Sequence, residues 1–293
     1  MLTVVIVAFK SKHLLEKRIQ EIGIHVPIII VDNSLDNNNK ILLESKYSNV
    51  NVIIPEKNFG FGRASNIGLD RVKTQFAFLT QPDLLLEDDC INKLIECIKK
   101  FKDFTILTPL DKSNKDFVNY EIYNKYDDQL SNNIFNLAEV DYVDLSWLIN
   151  LKNFDYNDRW DENIFLYFEA PDFCKRIKKK SKRIFIAKNI NTSHLGSKSH
   201  EEKYNFEALL TRNWHYNWSK FYYLKKHNNY FYALKKTISS LIKNLKKYLA
   251  AFFKKNGKDE KKLILAEIKG LISSYLNTTS YYRPYEKYKD KDI

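Results

Sequence analysis

At 293 residues, with 44% hydrophobic and 14% aromatic content, the chain is long enough to bury a large core and too apolar to be disordered. Its cysteines, Cys90, Cys97 and Cys174, are odd in number and scattered, which argues against a disulfide framework or a zinc knuckle and points to a reducing cytoplasm. The formal charge of +12 lies wholly in the tail: residues 1–219 hold 30 Lys+Arg and 30 Asp+Glu and residues 220–293 hold 18 and 6, so a neutral body with a basic appendage is expected near a polyanion, either an anionic membrane surface or a nucleic acid.

The opening run Leu2-Thr3-Val4-Val5-Ile6-Val7-Ala8-Phe9 lacks a basic leader and a cleavage site and reads as a buried strand. No apolar stretch approaches the roughly 20 residues needed to span a bilayer. Strands are predicted over 3–8, 27–31, 50–54 and 76–79, with helices over 12–22, 40–46, 63–71 and 87–101. This alternation is the rhythm of an α/β fold with largely parallel strands, in which ligands bind beyond the carboxyl ends of the strands. The residues at those ends are Asp32-Asn33-Ser34, the run from Asn58 to Gly68, and Thr80-Gln81-Pro82-Asp83.

Three of only seven glycines fall in the second of these, Asn58-Phe59-Gly60-Phe61-Gly62-Arg63-Ala64-Ser65-Asn66-Ile67-Gly68. A strand, a glycine-bearing turn and a helix N-terminus present free N–H groups and a positive dipole end, which suits a phosphorylated ligand, although an ordinary turn has the same look. Asp32 is placed either to accept hydrogen bonds from a base or ribose or to cap a turn. Asp83 follows a strand and Pro82, and is placed either to ligate a hard divalent cation or to cap a helix over 84–89.

Residues 111–136 are polar and irregular, and a strand is predicted over 142–149. In Trp160–Arg176 the carboxylates Asp161, Glu162, Glu169 and Asp172 bracket an apolar, aromatic segment, an arrangement that raises carboxyl pKa values as a general base requires. If Pro171 opens a helix, Glu169 and Asp172 share its first turn, where helix capping is the competing role. A strand over 183–187 is followed by His194, a possible metal or phosphate contact, and then by Gly196 and Ser197. Arg212-Asn213-Trp214-His215 offers cation and aromatic partners for a diphosphate or a sugar. Farther on, Leu234, Ile238, Leu241, Leu245, Tyr248, Leu249 and Phe252 recur at helical spacing among lysines.

Over residues 1–218 the order of these motifs resembles family 2 glycosyltransferases of the GT-A fold, most closely the rhamnosyltransferase-like branch. Val31-Asp32-Asn33-Ser34 stands where the family has a Val-Asp-Asn-x-Ser type of sequence, and Asn58 to Gly68 matches Asn-x-Gly-Phe-Gly-x-Ala-x-Asn-x-Gly throughout. Gln81-Pro82-Asp83 stands for an Asn-Pro-Asp or Asp-x-Asp metal element, Trp160 to Phe173 for the acidic catalytic stretch, and His194 to Gly196, one residue shorter, for His-x-x-Gly.

The resemblance implies a Rossmann-like α/β domain with a mostly parallel central sheet flanked by helices. Its nucleotide-sugar half would cover about 1–110 and its acceptor half about 137–218, followed by a basic helical extension over 219–293. It implies donor contacts from Ala8, Asp32, Asn33, Asn58, Gly60, Phe61, Gly62, Arg63, Asn66, Gln81, Pro82 and Asp83. A divalent metal, Mg or Mn, would sit on Asp83 and His194, and acceptor or diphosphate contacts would come from Trp147, Arg212 and His215. The activity implied is inverting transfer of a sugar, rhamnose being one option, from a dTDP-, UDP- or GDP-linked donor to a glycan or lipid-linked acceptor. The setting would be cytoplasmic, with the tail on an anionic membrane surface or packed on protein, a homo-oligomer being one option and nucleic acid disfavoured. Where the family usually has aspartate after the glutamate this chain has Ala170, so the base falls to Glu169 or Asp172, or the chain is a nucleotide-sugar-binding protein with impaired catalysis.

Overall fold

β1 (Leu2–Ala8) is buried at every residue, as a β-branched run covered on both faces must be, and it forms the middle of a parallel quartet. After it come α1 (Lys12–Ile22), β2 (Ile28–Asp32), α2 (Asn37–Lys46), β3 (Val50–Ile53), α3 (Gly60–Leu69) and β4 (Phe76–Thr80). The four strands lie side by side in the order β3-β2-β1-β4. Ala8 stands beside Asp32, Val31 beside Ile53, and Ile6 beside Thr80, so four carboxyl ends share one edge of the sheet. The computed structural model describes residues 1–87, 89–113, 118–126, 134–196, 202–251 and 257–284.

The chain continues through β5 (Leu84–Leu86), α4 (Cys90–Lys100), β6 (Ile106–Asp111), β7 (Tyr120–Glu121), β8 (Leu137–Glu139), β9 (Tyr142–Val143), β10 (Trp147–Asn150), α5 (Glu169–Lys179) and β11 (Ile184–His194). β10 inserts antiparallel between β4 and β6, and β11 runs parallel to β6 while pairing antiparallel with β5 and β8. β7 and β9 form a separate two-stranded ribbon.

Four local expectations are corrected. Residues 84–86 form a strand and not a helix, because β11 offers them a ladder and α1 holds them from behind: buried Arg18 donates to the Leu84 carbonyl at 3.0 Å, and Leu86 N–H donates to Glu21 at 3.2 Å. β11 extends seven residues past the expected end, through a bulge between Ala187 and Asn191, so His194 closes a strand and does not follow one. The expected strand over 142–149 is broken between β9 and β10, where Leu145 takes a φ of 71°. α3 begins at Gly60, whose φ of 78° demands glycine, and not at Arg63.

α3 seats on the sheet through Gly68, where an added Cβ would overlap the Val5 side chain and approach Val31 Cγ2 at 3.2 Å. One core lies on each face of the sheet: Leu15, Ile19, Leu94 and Ile98 cover one, and Ala64, Phe173 and Ile177 belong to the other.

By its internal contacts the chain divides into two units, Met1–Asp161 with Ala170–Glu201, and Glu162–Glu169 with Glu202–Ile293. Among its described residues the second holds the α-helices α6 (Asn205–His227), α7 (Tyr230–Ala250) and α8 (Lys258–Tyr275), packed around Trp214, Trp218 and Ala266 and around Ala251, Ile264 and Ile268. The expected apolar stripe of the tail is split. Leu241 and Tyr248 pack inward, whereas Ile238, Leu245 and Leu249 are exposed, and Phe252 lies outside the described residues, as does Ser197. No described helix is long and apolar enough to cross a membrane.

Candidate active site

The carboxyl edge of the parallel quartet gathers the first group of expected residues. Asn33 N–H donates to the Ala8 carbonyl at 2.8 Å, and Asp32 accepts from Ser34 N–H at 2.9 Å. Burial holds the Asp32 carboxyl above its usual range, the Ser34 and Asn39 contacts working the other way. The Asn33 amide spans to the glycine run, accepting from Phe59 N–H at 3.2 Å and donating to the Gly60 carbonyl at 3.1 Å, while Asn58 accepts from Gly60 N–H at 2.9 Å. Asn33 and Asn58 therefore shape the turn that opens α3. Arg63 is exposed beyond it, its guanidinium over the Phe59 ring at 3.9 Å.

The second group is built by β5 and β11. Their pairing sets His194 opposite Leu84, and Leu195 N–H donates to the Asp83 carbonyl at 2.9 Å. His194 Nε2 then stands 3.2 Å from Asp83 Oδ2, while Asp83 Oδ1 is buried with no hydrogen-bond partner. The bond to Asp83 raises the His194 pKa, burial opposes it, and the charges of Asp83, Asp111 and Asp144 raise it further. Asp111, at the end of β6, accepts from His194 N–H at 2.9 Å, and Gln81 donates to the Leu145 carbonyl at 3.4 Å. Asp144, bonded by the Tyr142 hydroxyl at 2.7 Å, has its carboxyl pushed up by burial.

Arg18, Asp111 and Asp144 were not singled out from the sequence. Arg18 was detectable, since it lies three residues after Leu15 and four before Ile22 on the apolar face of α1, where a charge needs a reason. Asp111 and Asp144 carried no signal, because only the fold brings their charges to bear on His194, Asp111 through the pairing of β6 with β11 and Asp144 from the loop between β9 and β10.

Other expected site residues serve the core. Asn66 exchanges two buried hydrogen bonds with the Trp160 backbone, at 3.0 and 3.1 Å. Phe61 packs on Trp147 and Trp160 with ring centroids 5.5 and 5.4 Å away, Trp160 stacks on Phe173 at 4.1 Å, and Trp147 is 1% exposed. Ala8, Gly62 and Pro82 are likewise buried.

Pro171 does sit in the first turn of α5, as expected, with Glu169 and Asp172 around it. Asp172 is fully buried and accepts from Arg176 Nε at 2.8 Å. That guanidinium in turn donates to the carbonyls of Asp158 at 3.2 Å and Arg159 at 2.7 Å. Glu169 is partly exposed and follows Tyr167 and Phe168, two successive residues in left-handed backbone with φ of 66° and 64°.

In the helical unit His215 is enclosed and not surface-facing. Its Nε2 lies 2.8 Å from the Tyr282 carbonyl, a bond that only the Nε2–H form donates, and burial pushes its pKa down to about 3. Arg212 stays in reach of solvent next to Tyr167.

The sequence profile described as glycosyl transferase family 2 matches residues 3–168, more than half of the chain. The chain belongs to this family. The glycosyltransferase also resembles solved structures at low identity. The mannosyltransferase PcManGT from Pyrobaculum calidifontis, in complex with GDP-Man and Mn2+, is 9% identical with a TM-score of 0.56 over 94% of this chain and 87% of that one. GalNAc-T7 with UDP, GalNAc and Mn2+ is 13% identical with a TM-score of 0.52, over 82% of this chain and 57% of that one, so the glycosyltransferase spans little more than half that length. These likenesses show the GT-A fold. Among curated protein sequences none matches the chain.

Proposed function

We propose that the chain is an inverting, metal-dependent glycosyltransferase that moves a hexose or deoxyhexose from a nucleoside-diphosphate sugar to an acceptor hydroxyl. The observation that carries this is the Asp83–His194 pair at the carboxyl edge of the sheet, in the same parallel framework as Asp32 and the glycine run. Asp32 is the contact for base or ribose, and the backbone at Gly60 is the close approach for the donor.

A divalent cation fits Asp83 and His194. One buried carboxylate oxygen lacks a partner, the other faces an imidazole nitrogen, and an oxygen-nitrogen donor pair suits Mg or Mn. Among the described residues no group of three or more His, Cys, Asp or Glu is gathered to hold a metal ion. When bound at Asp83 and His194, the cation supplies positive charge against the leaving diphosphate.

The chemical step needs a base for the acceptor hydroxyl. Asp172 is committed to Arg176, so the role falls to Glu169. As the acceptor oxygen bonds to the anomeric carbon, the bond from that carbon to the diphosphate oxygen breaks, the hydroxyl proton passes to Glu169, and the nucleoside diphosphate leaves. The motif order of the rhamnosyltransferase-like branch favours a deoxyhexose such as rhamnose and an acceptor in a cell-envelope polysaccharide or a polyprenol-linked precursor. A peripheral position at the inner face of the cytoplasmic membrane is supported by α7. Phe231, Ile238, Ile242, Leu245 and Leu249 line one exposed side of that helix, with Lys235 and Lys246 at its margin.

A panel of dTDP-, UDP- and GDP-sugars assayed for hydrolysis and transfer with Mn2+ or Mg2+ tests the reading. Metal-dependent turnover of at least one donor is expected. Binding without turnover would instead favour the catalytically impaired sugar-nucleotide binder that Ala170 suggests.

A further inference from the structure

The helical unit contains a cavity of about 540 Å³, within the size range of small-molecule sites. Helical periodicity explains it. Arg212, Tyr216 and Lys220 recur at four-residue spacing on α6, and Ser240, Lys243 and Lys247 recur at three to four on α7, so each set presents one face to the cavity. Glu267 of α8 and Tyr167 complete the lining.

The charge of this lining is one-sided. Arg212, Lys220, Lys243 and Lys247 share the lining with a single carboxylate, that of Glu267, whose pKa is raised by burial with Lys247 opposing the rise. Tyr167 and Tyr216 meet edge to face, with centroids 5.6 Å apart at 79°, and supply flat apolar surface next to the cations. Tyr167 is held in left-handed backbone at φ 66°, a conformation that persists only where the surroundings enforce it. Four convergent cations beside aromatic faces match a phosphate or diphosphate ester attached to a sugar or an alkyl chain.

We propose that this cavity binds the phosphate-bearing end of the acceptor, with the diphosphate ester held by Lys220, Lys243, Lys247 and Arg212. The proposal rests on the transferase reading in calling the ligand an acceptor and in taking Glu169 as the base. Tyr167 lies two residues from Glu169 in the chain, so a ligand seated against Tyr167 is positioned by the same segment that carries the base.

Calorimetric titration of the full chain in EDTA, which silences a metal-dependent donor site, tests this with inorganic pyrophosphate as the probe. Binding is expected in the wild type and in Asp83→Ala. Loss of charge-assisted bonds in Lys243→Gln/Lys247→Gln is expected to weaken it at least about tenfold, and Lys220→Gln is expected to weaken it independently. Geranyl diphosphate and inorganic phosphate are the comparison ligands: tighter binding of the ester than of either inorganic ion supports the acceptor assignment. No pyrophosphate binding by the wild type, equal binding by the lysine variants, or a preference for inorganic phosphate over the ester would overturn the proposal. Failure of the donor panel with pyrophosphate binding intact would remove the transferase reading and leave the anion site standing.

Discussion

His194 Nε2 stands 3.2 Å from Asp83 Oδ2 because an antiparallel strand, β5, doubles back after Asp83 and lies against the end of β11. The same pairing buries Asp83 Oδ1 without a hydrogen-bond partner. A buried carboxylate oxygen left this way normally costs free energy, so the arrangement makes sense when something positive or protic completes it. That relationship separates Asp83 from Asp32, whose carboxylate already accepts from a backbone N–H.

Glu169→Gln keeps the size of the side chain and removes its ability to take a proton. Transfer to acceptor is expected to fall by roughly 10²–10⁴ in kcat, with the donor KM nearly unchanged. Steady-state kinetics on the productive donor checks it, and an unchanged kcat would move the base elsewhere.

Asp172→Ala addresses the other carboxylate of that turn. It leaves the Arg176 guanidinium, 18% exposed, without its buried partner, and a loss of about 3–5 kcal/mol in unfolding free energy is expected. Arg176→Met added to Asp172→Ala should restore part of that stability. Urea unfolding of the two variants distinguishes this anchoring role from a catalytic one, because a purely catalytic Asp172 would leave stability unaltered.

His215 predicts the acid sensitivity of the helical unit. Its folded pKa is lowered to about 3, whereas an unfolded histidine titrates near 6.5, so the unfolded chain binds a proton that the folded one refuses. Stability from this group is therefore complete above about pH 6.5 and is lost as pH falls toward the folded pKa, reaching roughly 2 kcal/mol by pH 5. Denaturation midpoints between pH 7 and 5 should show a shallower slope in His215→Gln than in the wild type. Parallel slopes would mean that His215 is not held neutral.

Gly68→Ala tests why glycine recurs in α3. The new methyl would overlap Val5 and press on Val31 at 3.2 Å, both in rigid strands, so about 1–3 kcal/mol of destabilisation is expected despite the better helix propensity of alanine. A melting temperature equal to or above wild type would show that the sheet yields at this point.

The parallel half of the fold was legible because each of its strands is a short apolar run set between amphipathic helices, and β1 to β4 fell where periodicity put them. The antiparallel half was less so. Leu84-Leu85-Leu86 has no period that distinguishes strand from helix, and only its pairing with β11 decides the matter. The same holds for the site. Asp32, Asp83 and His194 stand out as candidates by their places in the chain, whereas the contacts of Phe61 and Asn66 with Trp160 join segments far apart in sequence and have no local signal. Asp111 and Asp144 act on His194 across long sequence separations, which leaves no local trace. In the tail, spacing marked an amphipathic helix and could not tell that Leu241 turns inward while Leu245 stays outside.

On the proposed reading, Asp83 organises metal-dependent chemistry on a nucleotide sugar. The most direct measurement is Mn2+-dependent donor turnover by Asp83→Ala beside the wild type, with circular dichroism confirming the fold. Loss of one preorganised electrostatic contact at the leaving group is expected to lower kcat by at least about 10²-fold. Turnover that survives at the wild-type rate with the same Mn2+ dependence would rule out this role for Asp83.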